Sequence, residues 1–133
     1  MSARTGCTSQ TTTTSAPGAG LDARRTLTNP SKAKGTSWES AIVAHLQGSG
    51  FPYAERRALA GTQDRGDIAG IPGVMLEAKN CKQLSLSQWM DEVRVQKKNA
   101  GAQVGAAVVK RRNHQTGRAY VVMEFDDFLD LIR

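Results

Sequence analysis

The chain has 133 residues, and its 18 Lys and Arg against 12 Asp and Glu give a net charge of +6. That length suits one domain with a single core and is too short for two. The basic excess favours an acidic partner, nucleic acid ahead of an anionic membrane, and no apolar stretch reaches the ~18–20 residues that span a bilayer.

Arg4 is followed by no apolar run, so no secretory signal is expected and the protein should stay in the compartment where it is made. Residues 1–31 read as a disordered N-terminal tail. The run Thr11-Thr12-Thr13-Thr14-Ser15-Ala16-Pro17-Gly18 has almost no apolar bulk to offset the entropy of ordering itself. Arg24, Arg25, Lys32 and Lys34 would let this zone tether DNA, unless it carries no function. Cys7 falls in this tail and Cys81 far from it, so no structural disulfide is expected, and the cysteine usage fits a reducing cytoplasm. His45 and His114 are isolated, and no thiolate or His cluster is present to hold zinc.

Regular structure is expected from about residue 37, with Thr36 or Ser37 capping a helix that runs to Gln47 and ends at Gly48 and Gly50. At ~100° per residue Trp38, Ile42, Leu46 and Val43 share one apolar arc. Glu39 falls inside it, where a carboxylate needs a partner or a cation, unless it only favours the first turn through the helix dipole. Residues 51–59 read as a strand, and 67–69 and 74–79 as two more joined by a turn with Pro72 and Gly73 at its centre. A second helix is expected over 86–100, from the capping-box spacing of Ser85-Leu86-Ser87-Gln88 to Gly101. Trp89 and Val93 on its apolar stripe read as core, with a subunit interface as the alternative. Strands at 104–110 and 119–123 and a short helix at 126–132 complete an α/β chain around a mixed sheet.

The richest stretch is residues 65–79. Side chains alternate along a strand, so Met75, Glu77 and Lys79 project together, while Val74, Leu76 and Ala78 face the other way. Asp67 lies ten residues before Glu77, across the Gly70-Ile71-Pro72-Gly73 turn. A tight turn pairs Ile68 with Glu77 and leaves Asp67 on the other face, so bringing the two acids together needs a one-residue bulge or a longer loop. Hydrolysing a phosphodiester requires charge stabilisation, an activated water and help for the leaving oxygen. Mg²⁺ held by Asp67, Glu77 and the carbonyl of Ala78 would supply the first two, because Mg²⁺ takes few protein oxygens and acidifies water. Lys79 would orient or deprotonate the water, or stabilise developing charge. Arg56, Arg57, Arg65, Lys82, Lys110, Arg111 and Arg112 cluster near strand ends and turns, as candidates for DNA phosphate contacts that carry no base information. No recognition motif with helix-turn-helix or zinc-finger spacing appears.

Five stretches extend the pattern: Lys34-Gly35-Thr36-Ser37-Trp38-Glu39, Ala54-Glu55-Arg56-Arg57, Asp64-Arg65-Gly66-Asp67-Ile68, Leu76-Glu77-Ala78-Lys79-Asn80, and Asn99-Ala100-Gly101-Ala102 leading into Val108-Val109-Lys110-Arg111. Together they resemble the PD-(D/E)XK nuclease superfamily, and within it the phage and actinobacterial relatives of the archaeal Holliday junction resolvases. The resemblance covers residues 34–112 and none of the tail. It implies a restriction-endonuclease-like mixed β-sheet flanked by helices over residues 32–133. Glu39 would be the helix-borne catalytic acid, Asp67 and Glu77 the metal ligands, and Lys79 the catalytic lysine. Gly66 stands where the superfamily's name has proline. The implied activity is Mg²⁺-dependent endonucleolytic cleavage of DNA, with Mn²⁺ able to substitute, on four-way junctions in recombination and repair. A homodimer is also implied, since a junction has two symmetric strands to nick, in the cytoplasm of a bacterial cell or phage-infected host. Two other readings stay open: the same fold acting on flaps, nicked duplex or strand ends, and a DNA-binding protein that does not cut.

Overall fold

The computed structural model describes residues 30–57 and 64–133. Over them the chain runs α1 (Pro30–Gly48), β1 (Glu55–Arg56), β2 (Ile68–Ala69), β3 (Val74–Lys79), α2 (Leu86–Ala100), β4 (Val104–Val109), β5 (Tyr120–Val122) and α3 (Phe125–Ile132). A 3-10 turn at Thr116–Arg118, absent from the sequence expectation, precedes β5. The expected order of helix, three strands, helix, two strands and helix is the observed one, and the class is α/β.

The five strands form one sheet in sequence order. β3 and β4 run parallel with α2 as their crossover, and every other neighbouring pair is antiparallel. Helices cover both faces. On one, Trp38 and Ile42 of α1 pack on Ile68, Ala78 and Val108. On the other, Trp89 and Val93 of α2 pack on Met75, Ala107 and Val109. Val108 and Val109 serve opposite layers because strand side chains alternate. β4 is buried at all six positions, as expected of a strand covered on both sides. The indole of Trp38 keeps its donor satisfied by bonding the Val108 carbonyl at 3.1 Å.

Trp89 and Val93 are core, at 1% and 3% exposure, which removes them as a subunit interface. Exposed apolar residues include Leu86 and Val95 of α2, Phe125, Leu131 and Ile132 of α3, and Val121 of the outer strand β5. Asp127 of α3 is buried for a reason invisible in the sequence. Among the described residues β5 pairs only with Ala107 to Val109, and Asp127 accepts the Gly105 N–H beyond that pairing at 3.0 Å while Lys97 pairs with it at 2.8 Å.

Several boundaries differ from expectation. α1 begins at Pro30 rather than near Ser37, and buried Gly35 lies within it. Proline suits a first helical position because its φ is already helical and no donor is lost there. Pro30 and Ser31 therefore belong to the folded part, and residues 1–29 of the expected tail lie outside the described residues. β1 is two residues long, and 58–63, which include the end of that expected strand, are also outside. α2 has the expected bounds, but Ser85 makes no side-chain cap bond, so the capping-box spacing is not realised. Its C-terminus closes on Gly101, in the left-handed conformation at φ 68° with its N–H on the Lys97 and Lys98 carbonyls. Cys81 is disulfide-bonded rather than a thiol, with its partner outside the described residues. The contrary expectation rested on tail composition, which reports entropy and not which sulfurs meet. Among the described residues no helix is long and apolar enough to cross a membrane.

Candidate functional site

The β2–β3 connection decides where Asp67 goes. Val74 N–H bonds the Ile71 carbonyl at 3.1 Å around Pro72 and Gly73, with Gly73 at φ 75°, as the sequence predicts for a type II turn. The register is not that of the tight turn, which the sequence left open against a bulge or a longer loop: Ile68 pairs with Leu76, not Glu77. Between the Ile71–Val74 turn and that pair, Ala69 and Gly70 stand against Met75 alone, which is a one-residue bulge. Gly70 makes it possible. Its φ is 97°, and a Cβ there would lie 2.0 Å from the Tyr53 carbonyl oxygen. The bulge brings Asp67 to β3, where its N–H donates to the Leu76 carbonyl at 3.0 Å and its Oδ2 accepts the Ala78 N–H at 2.8 Å. Those two partners flank Glu77.

Glu77 and Lys79 share the α2 side of β3, each 1% exposed. Lys79 Nζ lies 3.5 Å from Glu77 Oε2 and 2.8 Å from Glu92 Oε1 on α2, and 5.7 Å from the centre of the Trp89 ring. Burying an ammonium costs several kcal/mol unless carboxylates meet it, and here two do. Glu92 was not singled out in the sequence. The available signal was its place on α2, three residues after Trp89 and one before Val93, beside the buried stripe.

The approach to Asp67 is held from α2. Gln96 Nε2 donates to Asp64 Oδ2 at 2.8 Å, Asn99 Nδ2 to the Asp64 carbonyl at 2.9 Å, and Gly66 N–H to Asp64 Oδ1 at 3.1 Å. Gly66 has φ 89°, a conformation closed to proline, whose ring holds φ near −65°. A Cβ at Gly66 would also lie 2.3 Å from the Met75 sulfur. Position 66 therefore requires glycine in this backbone.

Glu39 lies on α1, which packs on the opposite layer from Lys79, and its Oε1 accepts from Arg56 Nε on β1 at 3.1 Å. The remaining basic candidates divide. Arg57 holds Asp67 through its backbone, N–H to carbonyl at 2.7 Å, and its own Nε is buried. Arg65 is exposed on the segment before β2. Lys82, Lys110, Arg111 and Arg112 meet in one cleft of about 540 Å³. It lies just past the ends of β3 and β4, where the Lys110 N–H bonds the Lys79 carbonyl at 2.9 Å. His114 and Tyr120, which the sequence did not mark, line it too.

Among the described residues no three His, Cys, Asp or Glu side chains gather as a metal site. A cation here would draw on Asp67, Glu77 and backbone oxygen. The carbonyls of Gly73 and Lys79 accept from Val104 and Lys110 on the β4 side, and that of Leu76 from Asp67 on the β2 side. Carbonyl directions alternate along a strand, so Ala78 turns its carbonyl to the β2 side, with Asp67. This is a hard-oxygen donor set of the kind Mg²⁺ takes. No protein-family model, curated protein or solved structure matches this chain.

Proposed function

We propose that this chain is a Mg²⁺-dependent, structure-selective DNA endonuclease with a restriction-endonuclease-like fold, acting on four-way junctions. The observation that carries this reading is the bracketing of Glu77 by Asp67, through bonds to Leu76 and Ala78. Two acids ten residues apart, joined by a bulged hairpin, come to one strand end beside a buried lysine. The resemblance of residues 34–112 to junction resolvases supports the substrate.

Asp67, Glu77 and the Ala78 carbonyl would hold the ion, and Mg²⁺ would there supply charge stabilisation and acidify water. Water attacks phosphorus, one P–O bond to a deoxyribose breaks, and the leaving oxygen takes up a proton. Lys79, fixed by Glu92 and Glu77, presents a cation that orients the water or meets charge developing on the phosphate. The basic cleft past the strand ends would grip backbone phosphates. A two-fold pair of chains would address both symmetric strands of a junction.

The deciding experiment is purified protein with Mg²⁺ against four-way junction, flap, nicked duplex, linear duplex and single-stranded DNA. Cleavage of the junction above the others is expected. Cleavage of flaps or ends instead would keep the chemistry and change the substrate. A second reading has its own observation: Lys79 is 1% exposed and bonded to Glu92 at 2.8 Å, as in an ion triad that only specifies a core. Junction binding without cutting in Mg²⁺ or Mn²⁺ would favour that non-catalytic reading.

A further inference from the structure

We propose that the basic cleft is a receptor for one unpaired nucleotide, with the base stacked on the Arg111–Tyr120 step and flanking phosphates on Lys82, Lys110 and Arg112. This rests on the DNA-binding part of the function proposed above and not on its hydrolytic part. The cleft, at about 540 Å³, lies within the ~300–1,000 Å³ of small-ligand sites.

Its charge is one-sided. Among the described residues four cations line it and no acidic side chain does. Other cations of the fold are spent on acids: Lys79 on Glu77 and Glu92, Lys97 on Asp127, Arg94 on Glu124, Arg56 on Glu39. Among the described residues none of the four lining cations is in an ion pair. A concave surface with that imbalance selects an anion carrying more than one charge.

Its flat surface is prepared. The Arg111 guanidinium lies 4.9 Å from the centre of the Tyr120 ring and donates to the Arg118 carbonyl at 3.3 Å. Tyr120 is half exposed on the outermost strand. The turn carrying Arg112 is shaped by Asn113 at φ 62° and by the 2.8 Å contact of His114 Nδ1 with the Arg112 carbonyl. Lys110 sits over Trp38, 5.6 Å from the ring centre. Aromatic and guanidinium planes among phosphate-binding cations are how single strands are held, because every base has a stacking face. Bases in an intact duplex are stacked on each other and do not reach such a ring. The ligand is therefore a nucleotide out of the helix, as at a branch point or strand end.

Binding in EDTA tests this apart from any cleavage. Fluorescence anisotropy would compare a short single strand, a duplex of equal length and a free mononucleotide, using wild type, Tyr120→Leu, Tyr120→Phe and Arg112→Gln. Tyr120→Leu should weaken single-strand binding about ten-fold with little effect on duplex, and Tyr120→Phe should bind as wild type. Arg112→Gln should weaken both and lower the salt slope by about one. An aminopurine in the single strand should be quenched by wild type and not by Tyr120→Leu. Equal losses on single strand and duplex, or unchanged quenching, would overturn the stacking site. A mononucleotide bound as tightly as the strand would assign the cleft to free nucleotides and also overturn the proposal. A chain that fails to cut DNA can still pass this test, and a working nuclease can fail it.

Discussion

Asp67 holds β3 at the residues on either side of Glu77, its N–H on the Leu76 carbonyl at 3.0 Å and its Oδ2 on the Ala78 N–H at 2.8 Å. Neither bond forms in the tight-turn register, because that register puts Ile68 against Glu77. A single inserted residue at Ala69-Gly70 thus converts two separated acids into neighbours.

If these acids hold the metal, Asp67→Asn and Glu77→Gln each remove a ligand charge while keeping shape. The carboxamide of the first variant still offers the Ala78 N–H a carbonyl oxygen, so the fold should persist. Cleavage in Mg²⁺ should fall by about a hundred-fold or more, with junction binding largely kept. Mn²⁺ should support wild-type cutting, and Ca²⁺ binding without efficient cutting. Full activity of Glu77→Gln in Mg²⁺ would remove the proposed site.

The Lys79–Glu92 pair is a stability element as well. Glu92→Ala leaves a buried ammonium with one carboxylate, and urea denaturation should show a loss of about 3 kcal/mol. The triple variant Lys79→Met, Glu77→Met, Glu92→Met should recover most of that, because none of the three charges is then buried. Lys79→Met alone should lower turnover much more than junction affinity if Lys79 faces the reacting phosphate.

Glu39 separates two roles by two readouts. Glu39→Gln should reduce cleavage more than about ten-fold with thermal stability nearly unchanged, if the carboxylate serves the site. Unchanged cleavage with a loss of less than ~1 kcal/mol would leave it a structural residue, of which the pair with Arg56 is part.

Two glycines with left-handed backbones should respond differently to alanine. At Gly70 the new methyl meets the Tyr53 carbonyl as well as an unfavourable φ of 97°. At Gly101, φ 68°, it meets open space. Gly101→Ala should cost about 1 kcal/mol, and Gly70→Ala ~3 kcal/mol or more, read from denaturation midpoints. Similar costs at both would show that the hairpin yields to the added methyl.

The order of elements and the bounds of α2 and β3 were legible because periodicity and punctuation are local. Val74 to Leu76 is an apolar run after a Pro-Gly turn, and Gly101 stops a helix wherever that helix packs. The shared face of Met75, Glu77 and Lys79 follows from strand alternation alone. Glu92 was missed because a carboxylate on a helix looks solvated until a buried ammonium is seen opposite it. Asp64, Gln96 and Asp127 were missed likewise, each being a polar residue whose partner is 22 to 35 positions away. The start of α1 was placed too late because Thr36 and Ser37 are residue types that cap a helix, although the helix runs through both from Pro30.

From the sequence alone came the α/β class, the acids and lysine around β3 and the excess of cations near strand ends, since composition and spacing are properties of the chain itself. Only the tertiary structure decided that Ile68 pairs with Leu76, that Lys79 is pinned by Glu92, and that four cations and Tyr120 enclose one cleft. Those are contacts between distant segments. Their free energies depend on burial and on a register one residue either way, which no local pattern encodes.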